Sequence, residues 1–181
     1  PSGARTTSVY SYGRLKTTIS PLNQRTSFAY DDNGRRIRTQ SPMNRISTTV
    51  YDSASRPIAS ISPNGLRSTT VYDSAGRSVA TIDPSGARSS TIYDSCCSKP
   101  KVTIDPNGLR TTYAYDKLGN TIRTVQPSGA ISTTTYDALS RPKATIDPLG
   151  NRSTSVYDVV GRAIANVNAL NQRSTTVYNV A

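Results

Sequence analysis

Tyrosine recurs along this chain at Tyr10, Tyr30, Tyr51, Tyr72, Tyr93, Tyr115, Tyr136, Tyr157 and Tyr178, at intervals of 20 to 22 residues. Proline keeps step at Pro1, Pro21, Pro42, Pro63, Pro84, Pro106, Pro127 and Pro148, with Ala169 in the ninth place. Two residues after each stands Gly or Asn: Gly3, Asn23, Asn44, Gly65, Gly86, Gly108, Gly129, Gly150 and Asn171. Gly and Asn share tolerance of the left-handed backbone region, so what repeats is a backbone shape. A period near 21 marks a repeat array, and repeats decide a fold before other signals do. The units are 1–20, 21–41, 42–62, 63–83, 84–105, 106–126, 127–147, 148–168 and a partial 169–181.

One unit, Pro63–Asp83, reads as turn, strand, turn, strand. Asp opens each turn and Gly closes it at positive φ. Ser and Thr make up more than a quarter of the chain and alternate with Val, Ile and Tyr at strand period. The expected fold is all-β: antiparallel hairpins, two strands per repeat, coiling into a tube, spiral or solenoid-like fibre. An odd repeat length inverts the strand faces unless something absorbs a residue. Unequal loops would do so, four residues at Pro63–Leu66 and three at Ser74–Gly76. That register places Asp73 opposite Arg77 and Asp83 opposite Arg88, with Asp105–Arg110 and Asp147–Arg152 alike. It also puts Tyr72, Ala80 and Ile82 on one inward face, and Val71 opposite Val79 on the other.

A longer period overlies the first. Ser-Arg/Lys-Pro at Ser55–Pro57, Ser98–Pro100 and Ser140–Pro142 alternates with Gly-bearing turns at Gly34, Gly76, Gly119 and Gly161. Two kinds of hairpin, or duplication of a two-unit segment without structural meaning, both account for it.

The chain has no His, Glu or Trp, and its Asp residues stand mostly at turns, so acid–base catalysis lacks its usual groups. No enzyme activity, cofactor or metal is expected. No apolar run reaches the roughly 18 residues of a membrane span. The net charge of +11 invites attraction to anionic polysaccharide or a cell surface. Nucleic acid is not the expected partner, because Tyr and Arg recur at fixed repeat positions as a structural ladder would. Cys96 and Cys97 are candidates for a disulfide or cross-link; free thiols, an intermolecular bridge, a strained vicinal disulfide and metal binding all stay open. The start at Pro1 and the stop within a unit at Ala181 lead us to expect a segment of a longer protein.

The recurring Tyr-Asp-x-x-Gly-Arg followed by Pro-x-Gly, as at Tyr72–Arg77 and Pro84–Gly86, resembles the YD repeat, also called the RHS repeat. That family includes bacterial toxin shells, wall-associated proteins and teneurin-type adhesion receptors. The resemblance implies long β-hairpins laid side by side in a spiralling sheet, and a secreted or cell-surface structural role without catalytic residues. Under it, Tyr30, Tyr51, Tyr72, Tyr93, Tyr115, Tyr136, Tyr157 and Tyr178, with Gly65, Gly86, Gly108, Gly129 and Gly150, are structural repeat positions. The expected function is a fibre, filament or stalk that serves as scaffold or adhesive surface, its partner being further copies of the repeat joined head to tail. A shell around a toxin and a glycan- or partner-binding surface module are the alternatives.

Overall fold

The computed structural model describes residues 5–95 and 98–179. Cys96 and Cys97, Gly3, and both chain ends lie outside the described residues. Among the described residues there is no helix, and the chain forms seventeen strands. They divide between two compact units, residues 1–89 and 90–181, the boundary falling within β9 (Arg88–Tyr93).

The first unit holds β1 (Thr7–Ser11), β2 (Arg14–Ile19), β3 (Arg25–Tyr30) and β4 (Arg36–Gln40). It continues with β5 (Ile46–Tyr51), β6 (Pro57–Ile61), β7 (Arg67–Tyr72) and β8 (Ser78–Ile82). Each strand pairs antiparallel with the next. The second unit runs from β9 through β10 (Pro100–Ile104), β11 (Arg110–Tyr115), β12 (Thr121–Val125) and β13 (Ile131–Tyr136). Then come β14 (Pro142–Ile146), β15 (Arg152–Tyr157), β16 (Ala163–Val167) and β17 (Arg173–Thr175). Its strands too pair in chain order. The all-β hairpin array read from the sequence is the observed fold.

The two turns of a repeat are alike, which corrects the expected register. At the Tyr turn the Asp73 amide donates to the Arg77 carbonyl at 2.9 Å and the Gly76 amide to the Asp73 carbonyl at 3.0 Å. At the Pro turn Asp83 pairs with Ala87 and Gly86 with Asp83 in the same way, both at 3.0 Å. Both loops therefore have three residues, with the third in the left-handed region: φ is +80° at Gly76 and +87° at Gly86. Asp83 faces Ala87 and not Arg88; likewise Asp105 pairs with Leu109 and Asp147 with Asn151.

The odd residue is absorbed inside a strand. Between β7 and β8, Thr69 pairs with Ile82 and Val71 with Ala80, but Tyr72 pairs with Ser78. Val79 is a β-bulge, and the same register shift recurs in the other Tyr-turn hairpins, as at β5–β6 and β15–β16. Alternation then places Val71, Ala80 and Ile82 on one face and Thr70, Tyr72 and Thr81 on the other. Tyr72 thus stands on the face opposite Ala80, and Val71 lies opposite Ala80 rather than Val79. Without the bulge, every strand after Val79 would present the wrong face.

The core follows the bulge. Ala59, Ala80, Val102, Ala144 and Ala165 are the buried apolar residues, with Thr17 in the equivalent place, each one position past a bulge. Small side chains suit that position because the bulged strand twists and draws its neighbours close.

Candidate functional site: a tyrosine–aspartate–arginine ladder

The Tyr-Asp dipeptide joins successive hairpins. In the Tyr turn, Asp52 Oδ1 accepts the Arg56 backbone N–H at 2.9 Å while Oδ2 takes the Arg56 Nε at 2.7 Å. Asp31–Arg35, Asp73–Arg77, Asp137–Arg141 and Asp158–Arg162 repeat the clamp, with ion-pair distances of 2.6 to 2.7 Å. Asn120 replaces Arg opposite Asp116 and keeps the contact through its amide at 2.9 Å.

Each clamped cation then reaches the next hairpin. Arg56 lies over the Tyr72 ring, 4.7 Å from its centroid; Arg35 covers Tyr51, Arg141 covers Tyr157 and Arg162 covers Tyr178 at 4.6 to 4.9 Å. Lys99 does the same for Tyr115 at 5.4 Å. The tyrosine hydroxyl reaches back fifteen residues and donates to a backbone carbonyl. Tyr72 bonds Pro57 at 3.1 Å, Tyr30 bonds Leu15 at 2.9 Å, and Tyr51 bonds Arg36 at 3.3 Å. Tyr115, Tyr136, Tyr157 and Tyr178 bond Pro100, Thr121, Pro142 and Ala163 at 2.7 to 3.1 Å. Tyr93 occupies the same repeat place, half-buried at the end of β9. Each ring is thus tied to the preceding hairpin by its hydroxyl and by a cation on its face. Such contacts are worth about 1 kcal/mol apiece.

The carboxylates of the ladder stay ionised. Asp52, Asp73 and Asp137 are held below the ordinary carboxylate value, first by the backbone N–H of the Arg four residues on, then, against a desolvation cost, by its guanidinium. In Asp83, Asp116 and Asp147 the leading cause is a side-chain hydrogen bond, from Ser85, Asn120 and Asn151. No group of three His, Cys, Asp or Glu converges among the described residues.

The left-handed turn position explains the longer period. Ser55, Ser98 and Ser140 hold φ of +63°, +53° and +60° where other hairpins have Gly, and the Ser and Gly turns share one hydrogen-bond pattern at Asp52 and Asp73. Ser55 Oγ accepts from Arg35 at 3.1 Å, and Ser140 Oγ accepts from Asn120 at 3.0 Å. At Gly34 and Gly119 the basic side chain of the preceding turn, Arg14 or Lys99, comes within 2.6 and 3.1 Å of where a Cβ would stand. Lys99 Nζ also donates to the Gly119 carbonyl. Serine stands where the neighbour donates to a hydroxyl, and glycine where it lies across the backbone.

The remaining glycines of the Pro turn, Gly65, Gly108, Gly129 and Gly150, have φ between +77° and +83°, and a Cβ at any of them would meet no heavy atom within 4 Å. Their role is backbone conformation alone.

Comparison with protein families matches the RHS Repeat over residues 51–88, 101–131 and 115–152. The chain belongs to the RHS-repeat family. The matched stretches hold the Tyr-Asp turns of the ladder and the Pro turns between them. Comparison with curated protein sequences found no match. Among solved structures, the RHS repeats superpose on the crystal structure of TcdB2-TccC3-TEV with a TM-score of 0.72 at 16% identity, covering 97% of this chain and 11% of that one. The crystal structure of TcdB2-TccC3-Cdc42 superposes with a TM-score of 0.67, also at 16% identity, over 93% of this chain and 11% of that one. This RHS-repeat chain therefore spans about a tenth of the length of the structures it resembles.

Proposed function

We propose that this chain is a non-enzymatic structural segment in the wall of a larger extracellular or cell-surface RHS-repeat assembly. The supporting observation is the ladder: its Tyr, Asp and Arg side chains are engaged in holding one hairpin to the next. The surface points the same way. It amounts to 12667 Å², against about 8,500 Å² for a compact protein of this mass. A hairpin array this thin gains from neighbours, and further repeats of the same kind are the partners that match it.

Two forms of wall fit this reading. One is a fibre or stalk serving as scaffold or adhesive surface; the other is a shell that encloses a toxin. Superposition of 97% of the chain on part of TcdB2-TccC3-TEV favours the shell. Negative-stain images of the native, full-length material test it. Hollow closed particles are expected, filaments would move the assignment to the fibre, and a compact particle that turns over a substrate would overturn the structural reading.

A further inference from the structure

The arginines fall into two populations. Those of the Tyr turns are clamped by Asp, as described above. A second set opens the strand after each Pro turn: Arg25 and Arg67 in the first unit, Arg110, Arg152 and Arg173 in the second. All five are exposed. They pair across the sheet with Ile19, Ile61, Ile104, Ile146 and Val167, so they share the face of Ala80 and Ile82. None makes an ion pair, a side-chain hydrogen bond or a ring contact among the described residues.

Two Pro-turn hairpins lack that arginine and carry Ile46 or Ile131 instead. In those two the small core residue past the bulge is replaced by Arg38 and Arg123. Both are exposed and lie on the same face, opposite Ala29 and Ala114. The position of the cation changes, but each of these hairpins still presents one arginine to that face. A stem needed only to cover Ile would not reappear at the other place when Ile takes the first.

We propose that this face binds a linear acidic polysaccharide across the strands. Arg152 and Arg173 stand two strands apart, about 9.6 Å. Single cations at that interval suit a polymer with one carboxylate or sulfate for about every two sugar rings. Between them the face offers hydroxyls at Thr133, Thr154 and Thr175 for sugar hydroxyls. Nucleic acid fits less well. Phe28, Tyr113 and the ladder tyrosines stand at alternate positions, on the opposite face, leaving no ring here for a base to stack on. Duplex DNA also carries a charge every ~1.7 Å, far denser than this row. The inference holds for shell and fibre alike, since it concerns one face of the hairpins.

The test uses the 181-residue chain, with polygalacturonate as probe and a single-stranded DNA of equal charge as comparator. The triple variant R110Q/R152Q/R173Q removes three charges from the row. The control K101Q/K117Q/K143Q removes three from the same unit at bulge and turn positions. The row variant should weaken polygalacturonate binding about tenfold or more and flatten its salt dependence, with the control within about threefold. Circular dichroism confirms that both variants keep the strand spectrum. Equal loss in both variants would reduce the effect to net charge and overturn the site. Tighter binding of the DNA than of the polysaccharide by the unaltered chain would overturn the ligand class.

Discussion

Replacing Tyr72 tests whether the ladder holds the hairpins together. The half-buried ring loses three things in Tyr72→Ala: its hydroxyl bond to the Pro57 carbonyl at 3.1 Å, the Arg56 guanidinium 4.7 Å above it, and its packed area. The bond is worth about 1 kcal/mol and the cation contact about 0.5–1 kcal/mol. About 50–80 Å² of ring area kept from water adds about 1–2 kcal/mol. The sum is about 3 kcal/mol. Tyr72→Phe keeps the ring and the cation, so it should cost about 1 kcal/mol or less. Tyr12 provides the control, being fully exposed at a turn, and Tyr12→Ala should stay within about 0.5 kcal/mol. A repeat array opens locally rather than all at once, so amide hydrogen exchange over residues 51–82 is the suitable assay. Tyr72→Ala should lower protection there about 100-fold and leave the second unit unchanged. Equal effects of Tyr72→Ala and Tyr12→Ala, or of Tyr72→Ala and Tyr72→Phe, would refute the ladder.

Two further outcomes follow from the register and the turns. Deleting Val79 removes the bulge and reverses the face of the strands beyond it; it should abolish the cooperative urea transition of the first unit, whereas Val79→Ala shifts its midpoint only slightly, and similar curves for the two would refute the parity argument. The turn carboxylates Asp52, Asp73 and Asp137 have folded-state values lowered below 3.8, so the stability they contribute is present above that pH and is lost as pH falls through the lowered values. The urea midpoint should therefore be level between pH 7 and 5 and drop below about pH 4; a drop already complete at pH 5 would contradict the lowered values.

Much of the array was legible in the residues themselves. A side chain that must sit at positive φ narrows the choice to Gly or Asn, so the nine Pro-turn positions disclosed a turn at every repeat, and strand alternation supplied the rest of the hairpin. The Asp73–Arg77 pairing was readable for the same reason, since both ends of a three-residue loop lie within five residues of each other. The odd period of 21 disclosed that one residue had to be absorbed, but its location was settled only by tertiary structure. A bulge has no residue signature of its own: Val79, Ile37 and Lys143 all occupy it, and hydrogen bonding to the neighbouring strand decides where the ladder slips. Placing that residue in a loop instead put Tyr72 on the wrong face and gave Arg110 and Arg152 acidic partners they do not have. The contacts between hairpins were hidden likewise, because the cation–ring and hydroxyl–carbonyl distances join residues fifteen or sixteen apart that only sheet pairing brings side by side. Local backbone preference writes a turn into its own residues; a contact between strands belongs to the pair, and neither strand encodes it alone.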